Sequence, residues 1–247
     1  MSIKTTLNYS PNFNPTKRKP KDIKFIILHY TGMKKESAAI KRLTSIQSEV
    51  GCHYLIKNNG EIITMVPDLC EAWHAGKSSW KKYKSLNKNS IGIEISNPGH
   101  EFNYKNFSNK QIISILRLGK FLIKKYSVQS RNILGHSDIA VDRKKDPGEK
   151  FPWKYLAHNK IGIWHKLSNK TLKQSRMQKI NKKSKEFFLK NLTKIGYSKS
   201  NTKNLDKKKN LIFVIKAFQR RFRQDLVNGK IDKECLLISK NLLKKFN

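Results

Sequence analysis

The chain has 247 residues and a mass of 28.8 kDa, too long for a disulfide-stapled miniprotein and enough for one large domain or two modest ones. Its 37% hydrophobic and 10% aromatic residues exclude wholesale disorder, although 53 Lys and Arg against 17 Asp and Glu leave a formal charge of +36. Cys52, Cys70 and Cys235 form no CxxC and read as buried small hydrophobes, and no apolar run has the length of a signal peptide or a membrane span.

Residues 1–20 hold Pro11, Pro15 and Pro20 among Asn, Ser and Lys, so an irregular arm is expected there. The β-branched stretch Ile23 to His29 predicts a buried strand ending in a histidine. Ser37 is positioned to cap a helix carrying Ile40, Leu43, Ile46 and Val50 at helical spacing. A hairpin follows, from His53–Ile56 through Asn58-Asn59-Gly60 to Glu61–Val66. Ile91, Ile93 and Ile95 alternate with Gly92 and Glu94, the pattern of a half-buried strand that turns Glu94 away from the apolar face. Ser108 and Gln111 form a capping box before a long amphipathic helix to about Tyr126, and Ile133-Leu134 predicts a short strand. This alternation implies an α/β fold, a central mixed sheet flanked by helices.

Composition changes after Trp164. Residues 21–166 make one α/β domain, the Lys-, Ser-, Asn- and Gln-rich stretch 167–184 reads as a basic polar linker, and residues 185–247 predict three short helices, the last capped by Asp232. The 185–247 unit lies near the lower size limit for independent folding.

Three patches carry chemistry: Leu28-His29-Tyr30-Thr31-Gly32, Ile91-Gly92-Ile93-Glu94, and Gly135-His136-Ser137-Asp138 running on to Lys144-Lys145-Asp146-Pro147-Gly148. Two imidazoles and a carboxylate are a three-donor set for a hydrolytic zinc site with a fourth position open. Seven histidines and several carboxylates nevertheless admit many combinations. Asp138 reads as a turn or helix cap, His53 as a packed strand histidine, and Tyr54, Trp80 and Trp153 as core.

The motifs His29-Tyr-Thr, Trp73-His74-Ala75-Gly76, Ser90-Ile-Gly-Ile-Glu94, Gly135-His136-Ser-Asp-Ile-Ala and Asp146-Pro-Gly, in that order, resemble the zinc-dependent N-acetylmuramoyl-L-alanine amidase family. The likeness covers roughly Ile23 to Trp164 and is closest to the branch that also cleaves anhydro-muropeptides. It implies the amidase/peptidoglycan-recognition fold, one catalytic Zn²⁺ held by His29, His136 and Asp146, Glu94 as the catalytic carboxylate and Lys144 as the catalytic lysine. It also implies hydrolysis of the amide between N-acetylmuramic acid and L-alanine. Trp73 and His74 fall on a motif near the substrate groove, and Asn97 is positioned to hold the peptide stem through its amide. Cys52 receives no catalytic role.

The segment from Leu192 through Gly196-Tyr197, Ala217-Phe218-Gln219 and Asn228-Gly229-Lys230-Ile231-Asp232 resembles a small three-helix peptidoglycan-binding domain, which implies tethering to a polymeric substrate. Peptidoglycan or muropeptides are therefore the expected partners, and a basic surface would favour encounter with their carboxylates. A wall substrate implies an envelope location, periplasmic or secreted, while the missing signal peptide leaves a cytoplasmic one open. A non-catalytic peptidoglycan receptor on the same fold is the first rival. A nucleic-acid-binding protein is the second, although only nine of the basic residues are Arg and aromatics do not interleave with the basic runs, so no specific nucleic acid is expected.

Overall fold

Six strands form the central sheet. In chain order the strands are β1 (Thr6–Leu7), β2 (Phe13–Asn14), β3 (Phe25–Leu28), β4 (Tyr54–Ile56), β5 (Ile62–Thr64), β6 (Glu71–Ala72), β7 (Ser79–Trp80), β8 (Tyr83–Lys84), β9 (Ser90–Ile95) and β10 (Ile133–Gly135). The helices are α1 (Glu36–Thr44), α2 (Asn109–Tyr126), α3 (His136–Ile139), α4 (Trp153–His158), α5 (Asn169–Ser175), α6 (Lys182–Ile195), α7 (Lys207–Phe222) and α8 (Lys233–Leu243). This computed structural model describes residues 3–198 and 207–245; the remainder of the expected arm and helical domain lies outside the described residues.

The sheet order is β1-β5-β4-β9-β3-β10, with only the β4–β5 hairpin antiparallel, so the expected mixed sheet is present. Register puts Ile26, Ile91 and Ile133 side by side, and Leu28, Ile93 and Tyr54 likewise. This isoleucine-rich face packs on Ile115, Leu118 and Leu122 of α2, which begins at the predicted capping box with Ser108 accepting from the Gln111 amide. The opposite face carries Leu55 and Ile63 against Leu43 of α1, and Phe25, Ile27 and Leu134 against other elements. Gly60, at φ +84°, makes the hairpin turn.

Four expectations need correction. The arm is not wholly irregular, because β1 adds a parallel edge strand to β5 and β2 pairs with β6 between its prolines. Helix α1 starts at Glu36 with Lys35 as its N-cap rather than Ser37, and stops at Thr44, leaving Ile46 exposed. Strand β9 is buried on both faces, since what lies opposite its isoleucines is a polar interior rather than solvent. Residues 167–184 are not a free linker: they include α5, and Leu167, Leu172 and Ile180 pack on the core while Arg176 pairs with Glu234 at 2.8 Å.

The C-terminal helices share one hydrophobic cluster with the sheet, in which Phe25, Ile27 and Leu134 continue into Phe188, Leu192, Val214 and Phe218. Asp232 caps α8 as expected, by accepting from the Cys235 amide. Among the described residues no helix is long and apolar enough to cross a membrane.

Candidate active site

Ligand sites in open α/β sheets form beyond the carboxyl ends of parallel strands, and that is where the chemistry-bearing residues gather. His29 directly follows β3, His136 directly follows its neighbour β10, and Glu94 is the penultimate residue of β9 on the other side of β3. Asp146 is brought back to this edge by its backbone carbonyl, which accepts from the Ser137 amide at 2.8 Å. His29 Nδ1 and His136 Nδ1 stand 2.9 Å apart, and each is 3.1 Å from Asp146 Oδ2. All three side chains are buried. Of the described residues these form the one cluster of His, Cys, Asp and Glu donors close enough to hold a metal ion.

The surrounding hydrogen bonds decide which ring nitrogens carry protons. Ser90 Oγ spends its hydrogen on the Leu86 carbonyl at 2.6 Å, so it accepts from His74 Nε2 at 3.1 Å. His74 Nδ1 is then an acceptor, and takes the Nε2–H of His29 at 3.0 Å. His136 Nε2 donates to the Ala75 carbonyl at 3.2 Å. In these tautomers both Nδ1 lone pairs face Asp146 Oδ2, with no hydrogen among the three acceptors. A cation fits this donor set, and the carbonyl and imidazole partners behind the histidines are those that orient metal ligands.

The charges agree. Burial, with the neighbouring His136 ring, lowers His29 to about 4, so it is neutral at pH 7. Glu94 is pushed the other way, well above its usual range, first by burial and then by the Asp146 charge, against a smaller opposing pull from Lys144. Glu94 Oε2 is buried and has no hydrogen-bond partner. The Lys144 side chain is half-buried and within electrostatic reach of both Glu94 and His29. The cluster therefore combines an anionic donor set with a carboxyl of raised proton affinity beside it.

The remaining expected site residues are placed differently from one another. His74 is buried behind His29 and spans it to Ser90 rather than facing a groove. Trp73 is half-buried and donates its indole N–H to Asn14 at 3.2 Å. Asn97 has its amide committed within its own loop, Nδ2 to the Lys105 carbonyl at 2.9 Å and Oδ1 from the Gly99 amide at 3.1 Å. Sequence reasoning missed the supporting roles of Ser90 and Gly92. A Cβ on Gly92 would lie 2.3 Å from the His74 ring, so the glycine makes room for that imidazole, and a lone glycine inside a strand was the available signal. His53 is a packed histidine as expected, accepting the Gly92 amide at Nδ1 and donating to the Cys70 carbonyl. The three cysteines are free and buried.

A buried pair of histidines and a carboxylate, with a raised glutamate at the same sheet edge, has the make-up of a metal-assisted amidohydrolase. A family model described as N-acetylmuramoyl-L-alanine amidase matches residues 19–149. The N-acetylmuramoyl-L-alanine amidase AmiD of Escherichia coli is 33% identical over 237 residues, 91% of this chain and 83% of AmiD. Its solved complex with anhydro-N-acetylmuramic acid-L-Ala-D-gamma-Glu-L-Lys matches with a TM-score of 0.78 over 91% of this chain and 90% of that one. AmpDh3 of Pseudomonas aeruginosa, solved with an anhydromuramic pentapeptide, is 30% identical with a TM-score of 0.78, covering 99% of this chain and 96% of AmpDh3. A solved AmpD is 26% identical with a TM-score of 0.56, and covers 64% of this chain but 96% of AmpD. The chain belongs to the N-acetylmuramoyl-L-alanine amidase family.

Proposed function

We propose that this enzyme hydrolyses the amide joining N-acetylmuramic acid, or its anhydro form, to the L-alanine of peptidoglycan stem peptides, with one zinc ion held by His29, His136 and Asp146. The observation that carries the reading is the convergence of two imidazole nitrogens and a carboxylate oxygen within 3.1 Å of one another, beside a buried carboxyl with an unpartnered oxygen. The substrate class rests on AmiD and AmpDh3, both solved with anhydromuramoyl peptides and similar over nearly the whole chain. Nitrogen and oxygen donors suit zinc, and three protein ligands are the usual number in a catalytic site.

When bound, zinc in such a site supplies Lewis acidity, which makes water a nucleophile near pH 7 and polarises the amide carbonyl. Glu94 does the proton work. Its free Oε2 can hold the attacking water, take a proton as the C–O bond forms and deliver it to the departing L-alanine nitrogen. A carboxyl raised by burial keeps that proton long enough to hand it on. Lys144, which faces the same interior, offers its ammonium to the oxygen that gains charge. His74 and the Ala75 carbonyl hold the two imidazoles in the ligating tautomer.

Incubating the purified chain with anhydro-N-acetylmuramoyl-tripeptide and weighing the products by mass spectrometry tests this. The expected products are the free tripeptide and anhydro-N-acetylmuramic acid, with release abolished by a chelator and restored by added Zn²⁺. Cleavage at another bond would overturn the substrate, and release that survives complete metal removal would overturn the zinc site.

A further inference from the structure

The segment from Ile133 to Phe151 carries two of the three donor residues, and side chains from the C-terminal helices grip it along its length. Arg221 of α7 donates from Nη1 to Asp138 Oδ2 at 2.6 Å and from Nη2 to the Ile133 carbonyl at 2.8 Å, while its guanidinium lies 4.4 Å over the Trp153 ring. Tyr197, just past α6, donates its hydroxyl to Asp138 Oδ1 at 2.6 Å. Two further contacts follow from the same helix end: Arg220 Nε lies 3.7 Å from Glu149 Oε2, and Gln224 Nε2 donates to the Phe151 carbonyl at 2.6 Å. The anchor points 133, 138, 149 and 151 bracket His136 and Asp146 in the chain.

Asp138 is the pivot. Its Oδ2 also accepts the Gly135 amide at 2.8 Å, which caps the turn that presents His136, and the next residue of that turn, Ser137, donates its amide to the Asp146 carbonyl. Arg221 and Asp138 are almost entirely buried, with side-chain exposures of 2% and 1%. Such a pair adds little net stability over an apolar contact of the same size, so its effect lies in fixing one orientation. An apolar cluster already joins the two parts of the chain, so docking alone did not need a buried charge.

We infer that Arg221 and Tyr197 are positioning residues for the metal site: through Asp138 they lock the turn that holds His136 and Asp146, so the C-terminal helical unit is part of the metal-binding scaffold. The inference rests on the metal role proposed above, and the experiment separates the two. Zn²⁺ affinity of the full chain is measured by competition with a chromophoric chelator, at a temperature where circular dichroism shows each variant folded. If the parent chain does not bind Zn²⁺, the metal reading fails. If it binds, Arg221→Met is expected to weaken affinity by about tenfold or more, the effect usual when a ligand's supporting contacts are lost, and Tyr197→Phe, which removes a single hydrogen bond to Asp138, by a smaller factor of about threefold.

Ser239→Ala is the control. It breaks the buried Asn191–Ser239 hydrogen bond within the helical unit, at 3.0 Å, without touching residues 133–151, and should leave Zn²⁺ affinity within about twofold. Parental affinity in both Arg221→Met and Tyr197→Phe overturns the inference, as does an equal loss in Ser239→Ala. Should Arg221→Met fail to fold, Tyr197→Phe, which keeps the ring packed, decides against the same control.

Discussion

The two faces of the central sheet are built from alternate residues of the same strands, and they do different work. On one face Ile26, Leu28, Ile91, Ile93, Ile95 and Ile133 form a dry layer against α2. On the other, the intervening positions are Ile27, Gly92, Glu94 and Leu134, with His29 and His136 continuing β3 and β10, and the interior they face holds four imidazoles, those of His29, His53, His74 and His136, and the carboxyls of Glu94 and Asp146. The apolar face gains its free energy from area removed from water. The polar face spends some of it, because each buried titratable group must be neutral, paired or on a cation. In β9 a single residue step separates the two kinds of environment.

Replacing a group on the polar face should therefore change chemistry more than stability. Glu94→Gln keeps the shape but removes the proton carrier, and is expected to lower kcat/KM by roughly a thousandfold, within the span usual for general acid–base catalysis. Thermal unfolding should shift little, or upward, since a buried carboxyl with an unpartnered oxygen is replaced by a neutral amide. A kcat/KM within about threefold of the parent would remove Glu94 from the mechanism.

The polar face should also tie stability to pH. Burial, then the neighbouring Arg18 charge, lowers His53 to about 3. The unfolded chain, with an imidazole near 6.5, binds a proton that the folded chain refuses, so this contribution is complete above pH 6.5 and is lost as pH falls from there towards 3. Over the whole range it amounts to as much as about 5 kcal/mol, of which roughly half falls between pH 7 and pH 4.5. Denaturant melts of metal-free protein at pH 7 and pH 4.5 measure it, and His53→Gln should show a smaller drop between them. An equal drop in parent and variant would place the acid sensitivity elsewhere.

The apolar face gives the converse. Ile93→Ala removes a fully buried side chain from the α2 layer and should cost about 3 kcal/mol in a melt. Its kcat/KM per folded molecule should stay within about twofold, because the side chain points away from the donor cluster. A large loss of activity with normal folding would mean that the two faces are mechanically coupled through the strand.

Much of this division was legible in the residue order. Ile91, Ile93 and Ile95 announce one face by their spacing, and His29, Glu94, His136 and Asp146 stand in motifs whose order carries the family resemblance. What alternation cannot reveal is the medium opposite: polar residues between isoleucines read as solvent-facing, whereas Glu94 faces a buried interior. Asp138 was legible as a cap from its local position, but its pairing with Arg221 joins charges 83 residues apart, and no local pattern marks either as buried. His74 shows the same limit, since its motif locates it near the site without telling whether it faces the substrate or supports a ligand. The stretch 167–184 misled because Leu167, Leu172 and Ile180 are too sparse among lysines to look like a packed face, although all three are used.

Gly92 is where the two faces meet most closely, and it allows the finest test. Its amide donates to His53, its carbonyl accepts from the His53 amide, and the space where a side chain would stand is filled by the His74 ring. Gly92→Ala keeps the strand's backbone and the isoleucine layer, yet puts a carbon 2.3 Å from His74 Cγ, closer than any contact can remain. The ring must move, and with it the hydrogen bond that holds the His29 tautomer. The expected result is a loss of Zn²⁺ affinity of about tenfold, with kcat partly recovered at saturating Zn²⁺ because Glu94 itself is not displaced. His74→Ala made in the Gly92→Ala background then relieves the clash but also removes the donor's partner, so stability should recover while Zn²⁺ affinity does not. Recovery of both would show that His74 merely occupies space behind His29, and that the polar face needs only its donor atoms.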